Sequence, residues 1–391
     1  MTSAPAAQEI TQYLRQQLPH MLTFVQQLAR VESPSTAPDS QHAVLAPIAD
    51  SLRELQYAVH TLPGKQTGGH LYARARLRTK RQPIQLLVGH CDTVWPLDTL
   101  TSMPLEMGEG VLRGPGVYDM KAGLVQMVYA LQALHELRLE PVVAPVVFIN
   151  SDEEIGSHES TPHIRRLAQI ADRAFVLEPS LGLDGKLKTS RKGVGRFTVT
   201  VKGKASHAGL NPDAGASAIL ELSYVIQKLF ALNDPNRGTS VNVGVIDGGL
   251  RPNVIAPESR AMIDVRVRTQ EDAKRIEESI HTLQPATPGI TLEITGRIGR
   301  QPMEPTPRNQ RLWETARQIG RSINLELAEG AAGGASDGNT TSLYTATLDG
   351  LGAVGDGAHA QHEFIYYDKM AERSALLALL LLAPPLAATD S

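Results

Sequence analysis

Cysteine is nearly missing from this chain: Cys91 is the only one in 391 residues. A disulfide framework is excluded and a reducing compartment is permitted. No sign of charge dominates either. The formal net charge of -3 gives no reason to expect nucleic acid or an anionic membrane as partner. Long apolar runs are also lacking. The longest, residues 375–383, stops at Pro384-Pro385, short of the roughly 20 residues a membrane helix needs. It reads as a buried C-terminal helix. Residues 1–8 are Ala-rich without a basic segment and an apolar segment, so no signal peptide is read and a cytoplasmic location is expected. No internal repeat or low-complexity tract appears. What remains is an ordinary soluble composition, 42% hydrophobic and 20% charged, long enough for two or three domains.

Helical spacing of apolar residues predicts a helix over 10–28. Buried strands are expected over 83–88, 141–149 and 174–177, with a helix over 121–137 starting just after Asp119. Strands apolar on both faces, alternating with helices, imply an α/β class with a mostly parallel sheet. The pattern changes near Gly193. Residues 196–201, 240–246 and 260–268 alternate as half-exposed strands, 290–294 reads as a further strand, and 214–232 and 270–283 read as helices. The order β-α-β-β-α-β is the split βαβ arrangement of a small α+β, ferredoxin-like domain. The expected division is 1–192 for the first part of one domain, 193–302 for the insertion, and 303–391 for the return, restarting with a helix over 311–321.

Chemistry concentrates at the predicted strand ends, where ligands of open α/β sheets bind. The stretches are Gly89-His90-Cys91-Asp92-Thr93, Tyr118-Asp119-Met120-Lys121, Ser151-Asp152-Glu153-Glu154 and Leu177-Glu178-Pro179, with His359-Ala360-Gln361-His362-Glu363 near the C-terminus. They offer two imidazoles and three carboxylates as ligands, plus one carboxylate as a base, which suits a pair of zinc-like ions and a water between them. His90 and Asp92 share a face, and read either as a ligating imidazole oriented by Asp92 or as a satisfied core histidine followed by a turn aspartate. Asp119 reads as a bridging carboxylate or a helix N-cap. Of the adjacent Glu153 and Glu154, one can ligate while the other carries a proton. His359 and His362 compete for the last ligand position. Gly334-Ala335-Ser336-Asp337-Gly338 matches the G-x-S-x-G pattern, followed by Asp356 and His359, but an elbow needs a strand running directly into the serine and Gly330-Ala331-Ala332-Gly333 separates the apolar stretch from Ser336, so a tight turn is the better reading than a nucleophile elbow.

As a set these stretches, with Gly114-Pro115-Gly116-Val117-Tyr118-Asp119-Met120-Lys121-Ala122-Gly123 and Gly203-Lys204-Ala205-Ser206-His207-Ala208-Gly209, resemble the M20 metallopeptidases, within them the glutamate carboxypeptidase group, over nearly the whole length. The resemblance implies a zinc-peptidase catalytic domain with an inserted dimerisation or lid domain. It assigns His90, Asp119, Glu154, Glu178 and His359 as ligands of two zinc ions, with cobalt or manganese as other occupants. Asp119 is the bridge, and its following peptide bond is often cis in relatives. Glu153 becomes the general base and Asp92 the orienting group. His207 is implied to reach a neighbouring subunit's site and stabilise an oxyanion. Asn253, Arg266 and Arg300 match substrate positions, Arg300 on a terminal carboxylate, with Lys186 a weaker match. Cys91 is read as packing. The implied activity is metal-dependent release of a C-terminal amino acid, glutamate above all, from peptide or N-acyl substrates by a homodimer. N-acyl-amino-acid deacylation on the same scaffold is the nearer alternative, and a non-catalytic metal protein the more distant one.

Overall fold

The computed structural model describes residues 4–79 and 81–386. Contacts divide them into two units. The first joins the residues through Thr189 with Pro305–Ala331 and the chain from Ser336 onward; the second joins Ser190–Glu304 with Ala332–Ala335.

The first unit is built on a six-stranded sheet. Its order is Tyr57–Leu62, His70–Ala75, Ala144–Asn150, Ile84–His90, Ala171–Val176, Ala346–Leu348. The last four strands are parallel, and the first two add an antiparallel edge. All seven residues of Ile84–His90 and all seven of Ala144–Asn150 are buried, because both faces are covered. The pleat divides them between two layers. Leu87, Val147 and Phe175 join the core of the helices Ala4–Ala29, Ala122–Glu136 and Met370–Leu382. Leu86, Val88, Val146 and Phe148 face the other way, onto Ile164 and Ala168 of the helix Thr161–Ala168. Each such buried side chain contributes about 1.5–3 kcal/mol. The apolar run near the C-terminus is the buried helix Met370–Leu382. Arg173 is tolerated in this core because it donates to Gln85 Oε1 at 2.9 Å and to the carbonyls of Ala383 at 2.7 Å and Pro384 at 2.6 Å, just past that helix.

A second, small antiparallel sheet in the same unit comes from Gly355–Asp356, Phe364–Tyr366, Val111–Arg113 and Glu106–Met107. It folds the loop holding His359 back beside the glycine-rich turn that leads to Asp119. Among the described residues no helix is long and apolar enough to cross a membrane.

The second unit is a four-stranded antiparallel sheet ordered Ser240–Gly248, Glu258–Val267, Gly193–Lys202, Thr291–Arg300. With the helices Ala218–Phe230 and Gln270–His281 it is the ferredoxin-like split βαβ arrangement. Ser217 and Thr269 start those helices, their hydroxyls accepting the N–H of Leu220 and Asp272. On the central strand Phe197, Val199 and Val201 are buried, while Arg196 and Lys202 are exposed. The last strand runs on to Arg300, beyond the expected 290–294.

Candidate metal centre

Three parallel strands set the height of the first residues. His90 ends its strand opposite Asn150, and Val88 lies opposite Val176. Glu178, two residues past Val176, is therefore level with His90, and the turn after Asn150 delivers Glu153 and Glu154 on the other side. Asp119 enters from the turn Val117–Lys121, where the peptide bond between Asp119 and Met120 is cis. Gly116 takes a φ of 72° there, and a Cβ on it would lie 2.7 Å from Thr93 Cγ2. The helix that follows carries a packing requirement at Gly123, whose Cβ would clash with the Leu177 carbonyl oxygen. His359 sits in the left-handed region, with φ of 62°, a costly backbone for a non-glycine residue and a common feature of functional loops.

The structure brings His90, Asp119, Glu153, Glu154, Glu178 and His359 together. His90 Nε2 is 3.2 Å from Asp119 Oδ1 and 3.4 Å from Glu178 Oε1. His359 Nε2 is 3.5 Å from the other Asp119 oxygen, Oδ2, and 3.2 Å from Glu154 Oε2. Asp119 thus presents one oxygen to each of two imidazole–carboxylate pairs. Possible ligand atoms of His90, Asp119 and Glu154 lie within 4.8 Å of one another, as do those of His90, Glu153 and Glu178. His362 is exposed. Asp119 makes no N-cap bond; the helix Ala122–Glu136 begins without a side-chain cap.

Electrostatics show what the cluster requires. Hydrogen bonds to Asp119 and Glu154 push His359 up to about 10. Burial would raise Asp119, yet His359 and His90 hold it far below the carboxylate range. Burial, reinforced by the Asp119 charge, pushes Glu154 up to about 7. Glu154 Oε1 is buried with no hydrogen-bond partner. A cluster of carboxylates that draws protons onto its imidazoles and leaves a buried oxygen unmatched calls for positive charge. The spacing fits zinc: ligand atoms around a tetrahedral ion with bonds of about 2.0–2.1 Å stand about 3.3 Å apart. The four contacts above span 3.2–3.5 Å.

Asp92 is buried, with its side chain turned onto backbone N–H groups. Its backbone carbonyl accepts from His90 Nδ1 at 2.9 Å, leaving Nε2 for the centre. Its carboxylate accepts the N–H of Glu153 at 3.2 Å and of Glu154 at 3.1 Å. The His90 hydrogen bond therefore goes to the main chain of Asp92, with the carboxylate at 3.5 Å. Glu363 is a bracing residue for which the sequence offered only proximity to His359. Fully buried, it accepts from Trp95 Nε1 at 2.7 Å and from the N–H groups of Gly116, Tyr118 and Asp119 at 2.9, 2.9 and 3.1 Å. It ties the His359 loop to the Asp119 turn. Cys91 is buried in the core. Ser336 is also buried, its hydroxyl donating to Asp349 and capping the helix Asp337–Thr341, so it is held as a cap and not presented as a nucleophile. Lys186 pairs with Asp184 at 3.0 Å on the surface.

The remaining sequence-matched residues lie in the second unit. His207 is exposed, and its Nδ1 accepts the N–H of Gly209 at 3.2 Å and of Leu210 at 3.1 Å. With Nδ1 an acceptor, Nε2 carries the donor proton. The Asn253 carbonyl accepts from Ala208 N–H at 3.1 Å, placing Asn253 beside His207. Arg266 and Arg300 lie on either side of Val194 in register, and Arg266 forks onto Asp264 at 2.8 and 3.1 Å. Val194 is at the start of the central strand and Lys202 at its end, so the two sets occupy opposite ends, separated by about 26 Å of strand rise.

Residues 189–286 match the M20 peptidase dimerisation domain. The chain is 27% identical to carboxypeptidase G2 of Pseudomonas sp. (strain RS-16), over 76% of this chain and 73% of that protein. It is 25% identical to a succinyl-diaminopimelate desuccinylase of Dechloromonas aromatica, over 80% of this chain and 85% of that one. Its fold is that of the aminopeptidase PepT from Bacillus cereus, with a TM-score of 0.77 at 18% identity, covering 94% of this chain and 98% of the other.

Proposed function

We propose that this chain, a hydrolase of the M20 metallopeptidase family, cleaves the amide bond before a C-terminal amino acid using two divalent metal ions. The observation that carries the reading is the division of Asp119, one oxygen toward His90 and Glu178, the other toward His359 and Glu154. His90, Asp119 and Glu178 would hold one ion; His359, Asp119 and Glu154 would hold the other. Zinc is the proposed occupant. When bound, such a pair polarises the amide carbonyl and acidifies a water.

The chain's own groups then handle protons and orientation. Glu153, in the same cluster as His90 and Glu178, takes the proton of the attacking water and returns it to the departing nitrogen. Asp92 fixes the backbone of both glutamates and the ring of His90. His207, with its donor on Nε2, supplies a hydrogen bond to the developing oxyanion. Asn253 orients the substrate, and Arg266 and Arg300 hold its free carboxylate, a task suited to a bidentate fork. A short substrate cannot reach both ends of one sheet about 26 Å apart. A homodimer in which His207 and Asn253 serve the partner's centre meets that constraint, and the dimerisation domain supports it.

Glutamate is the proposed leaving amino acid, supported by the likeness to carboxypeptidase G2. Release of an N-acyl group from an amino acid is the second reading, supported by the likeness to a desuccinylase. Amino-acid release from a panel of dipeptides and N-acyl amino acids, before and after chelation and zinc return, tests both. Glutamate-selective release that vanishes with chelator and returns with zinc supports the first. Cleavage confined to N-acetyl or N-succinyl substrates moves the chain to the second. No release with two metals bound refutes catalysis of either kind.

A further inference from the structure

We infer that Ser35, locked in place by Gln41, is a positioning residue for the catalytic carboxylates; the inference rests on the metal-hydrolase reading above. Ser35 Oγ donates to Asp92 Oδ2 at 2.6 Å, and both side chains are buried. A hydroxyl–carboxylate bond of that length is charge-assisted and about twice as strong as a neutral one. Asp92 is the group that accepts the N–H of Glu153 and Glu154 and, through its carbonyl, braces His90. Ser35 therefore sets the orientation of the carboxylate on which Glu153 and Glu154 depend.

Ser35 is itself held on several sides. The segment runs along the residues after His90, with Thr93 N–H donating to the Ser33 carbonyl at 2.9 Å and Ser33 Oγ to the Cys91 carbonyl at 2.7 Å. Gln41 is fully buried and each polar atom of its side chain is used. Its Nε2 donates to the carbonyls of Pro34 and Ser151, each at 3.0 Å, and its Oε1 accepts from Gly68 N–H at 2.6 Å. One amide thus locks the residue before Ser35 to the strand end that launches Glu153 and Glu154. The sequence connects residues 34–41 to the centre in no visible way. Hydrogen bonds alone do so.

Partners behind metal ligands typically contribute about 10–100-fold to metal affinity or activity. Ser35 stands one contact further out, so the lower end is expected. Ser35→Ala should lower kcat about tenfold and leave KM within about twofold, because no substrate group is removed. Ser35→Thr, which keeps the hydroxyl, should restore kcat, and Gln41→Leu should reproduce the loss. Zinc retention against a chelator provides a readout apart from turnover: Ser35→Ala should surrender zinc at about tenfold lower chelator than the parent chain. Normal kcat together with normal zinc retention in a folded Ser35→Ala chain overturns the proposal. So does a loss of turnover that Ser35→Thr fails to restore while its melting curve matches the parent. If the parent chain cleaves no amide, the hydrolase reading fails on its own, and the zinc titration still decides the role of Ser35.

Discussion

A mixture of two inactive variants provides the sharpest test of how the centre is completed. Glu153→Ala removes the proposed base, and His207→Ala removes the proposed oxyanion donor. Each homodimer should be nearly inactive. The structure fixes the geometry that makes mixing informative. His207 lies beyond the Lys202 end of the central strand, and Arg266 and Arg300 flank Val194 at its start. At about 3.3 Å per residue, the eight steps from Val194 to Lys202 separate the sets by about 26 Å. One chain cannot place both on one dipeptide. In a heterodimer, the chain with intact Glu153 receives His207 from its partner, and the other centre lacks both groups. Random pairing in a symmetric dimer makes about half the population heterodimeric, each with one working centre of two, so activity should return to about one quarter of the parent value. The assay is turnover of differently tagged chains, co-expressed and purified through both tags, where the pure heterodimer should reach about one half. Mixed dimers no more active than the parent variants would refute the arrangement across subunits. A stable monomer with full activity by gel filtration would refute it outright.

Glu153→Ala alone should retain its metals and lose at least about a hundredfold in kcat; near-normal turnover would remove Glu153 from the role of base. Glu363→Gln places an amide NH2 among four N–H donors in a fully buried site. It should cost about 1–3 kcal/mol, read from the denaturation midpoint, and an unchanged midpoint would show that the turn does not depend on that carboxylate. His70 sits buried against the rings of Phe148 and His163, and burial holds it below its usual range despite the nearby Asp152. The folded state therefore binds fewer protons at His70 than the unfolded state does. Its contribution to stability is present above about pH 6.5 and declines as pH falls below that value. His70→Phe should flatten the stability loss between about pH 7 and pH 5.5; an unaltered slope in paired denaturation curves would place the acid sensitivity elsewhere.

Three of the ligands legible in the sequence, His90, Glu154 and Glu178, share one property: each follows an apolar strand whose ends can be read from composition. All three lie beyond the carboxyl ends of parallel strands, and the register of Val88 with Val176 brings His90 level with Glu178. What escaped reading is of two kinds. The helix Pro38–Glu54 carried a usable signal, with Val44, Leu45, Ile48, Ala49 and Leu52 buried on one face. The antiparallel strands Tyr57–Leu62 and His70–Ala75 carried less, being shorter and partly exposed, with Tyr, His, Thr and Arg among their residues. The second kind left no local trace at all. Glu363 meets the Gly116 N–H across 247 residues of chain, and Ser35 meets Asp92 across 57. A carboxylate that accepts backbone N–H groups has no periodicity and needs no partner of fixed type, since every residue but proline offers the donor. The ligands are constrained by the chemistry of the ion and so recur as recognisable residue types. Their braces are constrained only by distance and burial, so folding has to be known before they can be named. The same reasoning predicts where tolerance ends: conservative exchange at Ser35 keeps the hydroxyl and should be accepted, whereas at Glu363 even the isosteric amide should fail, because a fourfold acceptor cannot surrender one of its oxygens.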